Sequence, residues 1–151
     1  LRAIDIILAA QWPWHLDASS SQEQAQAALS ACDVAHLANA EWQILSGGER
    51  QRVSLAACFA QNTRAILLDE PTANLDPSTT EQVETIIQQM ADDGCGVIFT
   101  SHHLGQVQAL ADQVVFLNEG VCLEACGTED FFVRPQTEQA KKFIARELGW
   151  K

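Results

Sequence analysis

Tyrosine is absent from these 151 residues, methionine occurs once, and nine Lys and Arg stand against twenty Asp and Glu. The formal net charge is −11. So few cations leave no basic stripe to neutralise a nucleic-acid backbone and no polybasic patch for an anionic lipid surface. No apolar run approaches the ~20 residues a membrane-spanning helix needs, so direct insertion into a bilayer is not expected. There is no leader-like pattern at the start, no internal repeat and no low-complexity tract. The first residue is Leu rather than Met, and a missing upstream portion is expected. An acidic chain can still hold phosphate, because backbone N–H groups and a few cations act locally.

The five cysteines, Cys32, Cys58, Cys95, Cys122 and Cys126, form no paired framework. Cys122 and Cys126 are four apart, with no His or second pair nearby to complete a zinc set. They read as ordinary reduced cytosolic thiols. His15, His36 and His103 read as structural or exposed.

Hydrophobic residues make up 47% of the chain and charged residues 19%, as in a soluble globular domain. A domain of this length can bury roughly 68–70% of the surface its unfolded chain exposes. Residues 1–44 suggest a small helical region. Ile4, Ile7 and Leu8 form a stripe that breaks at Gln11-Trp12-Pro13-Trp14. Ser19 to Ser21 offer the cap for a second helix through Ala31.

From 45 to 151 helix and strand alternate. A helix is expected from Gly47-Gly48, and a strand at 65–68 whose continuous apolar run suits burial on both faces. A helix led by Asp76-Pro77 follows, with Val83, Ile86, Ile87 and Met90 buried and Gly94 as its stop. A strand at 96–100 leads to a short helix through Leu110 and a hairpin of 114–117 with 121–125. A tail helix buries Ala140, Phe143, Ile144 and Leu148. This rhythm predicts a parallel α/β sheet.

Four groups of residues carry chemistry. Ser46-Gly47-Gly48-Glu49 opens a helix whose first-turn amides lack partners, and the glycines let a ligand approach the backbone. That suits a terminal phosphate, although a plain Ser cap with a Gly-rich turn explains the residues as well. Asp69 and Glu70 end the buried strand, where open α/β sheets place ligands. One carboxylate suits Mg²⁺ and the other an attacking water, while a solvated acidic pair opening a loop is the plainer account. His102 follows the next strand and is placed to reach a phosphate or a water. Asp76 is sufficiently explained as a helix cap.

In combination these stretches resemble the ATP-binding-cassette ATPase family. LSGGERQR (45–52) is similar to its signature motif, AILLDEP (65–71) to its Walker B strand and TANLD (72–76) to its D-loop, and His102 falls at its switch histidine. The resemblance implies an α/β fold: the C-terminal part of a P-loop NTPase, mostly parallel sheet with flanking helices and a small helical subdomain (1–44). It implies that ATP and Mg²⁺ are bound and that ATP is hydrolysed. Glu70 would polarise the water, Asp69 serve the metal and His102 contact the γ-phosphate. Ser46, Gly47, Gly48 and Glu49 would engage nucleotide held by a second subunit, homodimeric by expectation, with Asp76 linking the two sites.

The family's G-x-x-x-x-G-K-[ST] loop does not occur in residues 1–151, and it is expected before residue 1. The chain alone is therefore expected not to hydrolyse ATP. Further similarity from 110 to 132 points to bacterial importers, and the ending to oxyanion or amino-acid uptake. A membrane permease partner at the cytoplasmic face of the membrane is implied. Two alternatives are a truncated non-catalytic domain and a DNA-repair or translation ATPase, the latter disfavoured by the negative charge.

Overall fold

In the computed structural model, residues 1–12, 17–147 and 149 are described. Pro13, Trp14, His15 and Leu148, which figured in the expectations above, lie outside the described residues. The chain divides into two compact units, 1–100 and 101–151.

The first unit holds helices α1 (Ala3–Ala10), α2 (Ala18–Ala31), α3 (Gly47–Phe59) and α4 (Pro77–Asp92), with strands β1 (Ala65–Asp69) and β2 (Gly96–Thr100). Helix α3 is the hub, packing on α1, α2 and α4. Its Val53, Leu55, Ala56 and Ala57 are buried. Ala3, Ile4 and Ile7 of α1 and Ala25, Ala28 and Leu29 of α2 are buried as well. Small residues on α2 and α3 permit close helix approach, while the branched residues fill the space between. The α2 cap is Asp17, which accepts from the Ser19 and Ser20 amides, and not the serines themselves. A carboxylate two residues upstream outcompetes them because it accepts both N–H bonds at once.

Strands β1 and β2 pair in parallel, with Leu67 opposite Ile98 and Asp69 opposite Thr100. Ile66 and Leu68 turn toward the covered face, but burial on both faces does not hold. Leu67 is 72% and Ile98 63% exposed. Among the described residues nothing covers that side of the sheet. Helix α4 carries its expected stripe of Val83, Ile86, Ile87 and Met90.

The second unit contains α5 (Leu104–Leu110), the antiparallel hairpin of β3 (Gln113–Asn118) and β4 (Val121–Gly127), α6 (Thr128–Val133) and α7 (Glu138–Glu147). Its core joins Leu104, Phe131, Ala140 and Ile144, with Phe116 and Phe143 packed against them. Buried Glu124 fixes the start of α7, its Oε1 accepting from the Thr137 amide and hydroxyl at 2.6 Å each. No helix among the described residues is long and apolar enough to cross a membrane.

Candidate functional site

Ser46 caps α3 through a reciprocal box with Glu49. The Glu49 amide donates to Ser46 Oγ at 3.3 Å, and the Ser46 amide and hydroxyl both donate to Glu49 Oε2 at 2.7 Å. These bonds, the amide first, hold the Glu49 carboxyl below its ordinary pKa. The box places a carboxylate at the positive end of the helix, the position an external phosphate would take. An anion arriving there requires Glu49 to turn outward, which frees the Ser46 hydroxyl as a donor. Both side chains lie toward solvent, Ser46 fully and Glu49 in part, so the exchange needs no repacking.

The two glycines differ. Around Gly47 a Cβ would meet nothing within 4 Å, so the backbone there is open to a ligand. At Gly48 a Cβ would stand 2.3 Å from Thr79 Cγ2. Gly48 is thus required for α3 to pass α4, quite apart from any ligand. Thr79 is itself tied to Asp76: its amide donates to Oδ1 at 3.1 Å and its hydroxyl to Oδ2 at 2.6 Å. The Thr79 hydroxyl is the main reason the Asp76 carboxyl sits below its ordinary value, with the amide second. A single side chain therefore connects Gly48 of the signature stretch with Asp76 of the following turn.

Behind the signature, Arg50 clasps the loop that leads into it. Its Nη2 donates to the Gln43 carbonyl at 2.8 Å and its Nε to the Trp42 carbonyl at 3.2 Å, with the guanidinium 5.9 Å from the Trp42 ring centre. Arg52 pairs with Asp33 at 3.5 Å, joining α3 to the turn after α2.

The strand tips hold the second cluster. Thr100 Oγ1 donates to Asp69 Oδ1 at 2.5 Å and accepts from the Glu70 amide at 3.0 Å. Parallel register sets this arrangement, since Asp69 and Thr100 are cross-strand partners. Glu70 adopts φ 45°, a left-handed conformation that costs a non-glycine residue about 1–3 kcal/mol. The chain reverses there, the Ala73 amide returning to the Glu70 carbonyl at 3.0 Å. The next reversal uses Asn74 at φ 61°. Asp69 is exposed and Glu70 half-buried, so both carboxylates border solvent at the strand end.

Asp69, Glu70 and Thr100 supply oxygens at this tip, and hard oxygens match Mg²⁺. No group of three His, Cys, Asp or Glu among the described residues could hold a metal by itself.

His102 belongs to the second unit. Its ring lies 4.3 Å from that of His103, tilted by 36°, and the His103 amide donates to Ser101 Oγ at 3.0 Å just before α5. Asp69 and Glu70 thus share one cluster and Gly48 and Asp76 another, both in the first unit, with Ser46 and Glu49 forming the cap of α3.

Two residues that organise these clusters, Thr100 and Thr79, have no site role in the sequence expectations. Thr100 counted only as a strand end, although a hydroxyl closing the strand after an acidic strand tip is a visible signal. Thr79 lies three residues after a capping Asp, a spacing that could have marked it.

Comparison with known proteins gives a consistent pattern. Residues 5–73 match the family model described as ABC transporter. The chain is 35% identical over 145 residues to the glutamine transport ATP-binding protein GlnQ of Geobacillus stearothermophilus, covering 96% of this chain and 60% of that protein. It is 42% identical over 105 residues to the phosphate import ATP-binding protein PstB of Aeropyrum pernix, covering 69% of this chain and 42% of that one. Among solved structures, an ABC transporter in an inward-facing conformation superimposes with a TM-score of 0.84 at 28% identity, over 97% of this chain and 58% of that one. The chain spans about half the length of the relatives it matches.

Proposed function

Since the chain belongs to the ABC transporter family of ATP-binding proteins, we propose that it is the C-terminal part of an importer's nucleotide-binding subunit, coupling ATP hydrolysis to solute uptake. The observation that carries this reading is the strand-tip cluster, in which one hydroxyl fixes Asp69 and the Glu70 backbone together. Asp69 is the residue that would hold a magnesium ion, which would supply positive charge to neutralise the phosphates. Glu70, half-buried beyond the strand end, orients the attacking water and takes its proton. Ser46, the Gly47 amide and a displaced Glu49 serve the nucleotide of a second copy, and Asp76 couples that contact to α4 through Thr79. His102 contacts the γ-phosphate.

The partners we assign are that second copy and a membrane permease met by the helical residues 1–44, on the cytoplasmic face. The cargo class is a small polar solute, an amino acid or an oxyanion. The relatives' names, glutamine and phosphate transport proteins, support that choice.

The test uses the whole gene product. Glu70→Gln is expected to leave ATP binding intact and to lower turnover by roughly 10²–10⁴-fold, the loss of a general base. A variant that hydrolyses ATP at the unsubstituted rate overturns the assignment. Residues 1–151 alone carry no phosphate-cradling loop, and calorimetry with Mg-ATP is expected to find no tight binding.

A further inference from the structure

Where α3 and α4 end, a cleft of about 390 Å³ opens at the start of β1, and its lining includes Cys58, Met90 and Cys95. The chain's only methionine and two of its five cysteines thus face one space. We propose that Cys58, Met90 and Cys95 bind a soft monovalent cation, copper(I) or its analogue silver(I), in this cleft.

The backbone explains why these three residues border one cleft. Helix α4 closes with Gly94 at φ 90°. The Gly94 amide donates to the Ala91 carbonyl at 2.9 Å and the Cys95 amide to the Met90 carbonyl at 3.1 Å. This pair of bonds is the Schellman closure, which brings the residue two beyond the cap over the last helical turn. Cys95 is therefore set beside Met90 by the cap itself. Its Sγ then donates to the Thr63 carbonyl at 3.6 Å, toward the segment leaving α3, and Cys58 lies in the last turn of α3. The Gly96 amide, bonded to the Arg64 carbonyl at 2.8 Å, locks the two segments together.

The donor set selects the ion. Thiolates and a thioether favour copper(I) over harder cations. Zinc would need a fourth N or S ligand, and no set of three His, Cys, Asp or Glu forms among the described residues. Met90 is buried and both cysteines are half-buried, so the site is shielded yet reachable. Binding exchanges two thiol protons for one cation and leaves a bis-thiolate of net charge −1, with the thioether neutral.

The test adds silver nitrate, or copper(I) under anaerobic conditions, to the whole gene product, with alkylation by iodoacetamide read by peptide mass spectrometry. Cys58 and Cys95 are expected to become protected while Cys122 and Cys126 keep reacting, with two protons released per ion. Met90→Leu conserves volume. It and Cys95→Ser are each expected to weaken binding by roughly 10–100-fold, the usual loss on disturbing a metal's ligand shell. Unchanged alkylation of Cys58 and Cys95, protection at Cys122 and Cys126 instead, or a Cys58–Cys95 disulfide formed in air without metal would each overturn the proposal. The alkylation pattern is read on the unsubstituted protein and does not depend on any variant folding.

Discussion

Thr100 is the residue on which the strand-tip cluster turns. Its hydroxyl donates to Asp69 and accepts from the Glu70 amide, so removing it frees both neighbours. Thr100→Val keeps the shape and deletes the hydroxyl. A hydrogen bond to a charged group contributes about 1.5–3 kcal/mol, which corresponds to roughly 10–100-fold in rate if the lost order is felt in the transition state. The expected outcome in the whole gene product is such a drop in turnover, with a higher magnesium requirement, and recovery by Thr100→Ser. ATPase assays across a magnesium series measure it, and an unchanged magnesium dependence would count against Thr100 as the positioning residue. Asp69 and Glu70 stood out in the sequence through the family resemblance of the stretch around them, since an acid pair ending an apolar run is common in itself. Thr100 did not, because its meaning depends on register, and register is set by which residues of two distant strands align. The left-handed conformation of Glu70 was equally hidden.

The signature helix and α4 depend on each other through one contact. Gly48→Ala would drive a methyl into Thr79 Cγ2, which cannot swing away because its hydroxyl is bound to Asp76 at 2.6 Å. Overpacking of this kind costs about 1–3 kcal/mol. Thr79→Ser removes the obstructing methyl but keeps the hydroxyl that donates to Asp76, the cap of α4. The double variant Gly48→Ala/Thr79→Ser should recover most of the loss, and a denaturant-unfolding cycle measures the coupling. Additive effects would show that the clash relaxes elsewhere.

The helix caps also tie stability to pH. Asp17, Glu49 and Asp76 each accept cap bonds that depress their carboxyl pKa values, led respectively by the Ser19 hydroxyl, the Ser46 amide and the Thr79 hydroxyl. For a depressed carboxyl, the stabilisation is complete above the unfolded-state value and is lost as pH falls through the folded-state value. Melting temperature followed by circular dichroism should therefore fall as pH drops below about 5 and these depressed carboxyls progressively protonate. Ser46→Ala removes the hydroxyl bond to Glu49 but keeps the larger amide bond, so it should flatten that slope only in part. Helix limits were read well from apolar spacing and Gly94. Helix α6 was missed, since at six residues it is too short to show a period. The cap of α2 was misplaced because three serines competed with one aspartate in the same turn.

For the whole molecule, the informative surface is the uncovered face of β1 and β2. Leu67 and Ile98 stand opposite each other there, both largely exposed, directly beside the Asp69–Thr100 pair on the same face. The continuous apolar run suggested two covered faces because composition reports only that a strand can be buried, whereas the structure reports what does the burying. Exposed, paired apolar side chains on a sheet are an association hazard. Residues 1–151 prepared alone are therefore expected to self-associate, and light scattering with sedimentation would detect it. Leu67→Thr/Ile98→Thr keeps one strand-favouring β-branched residue at each position while removing most of the apolar area, so it should return the isolated chain toward monomer. In the longer subunit proposed above, which would cover this side, the same pair of changes should lower the melting temperature instead. A 151-residue chain that stays monomeric without substitution, or a double variant that behaves alike in both settings, would mean that this face is not one the protein needs to bury.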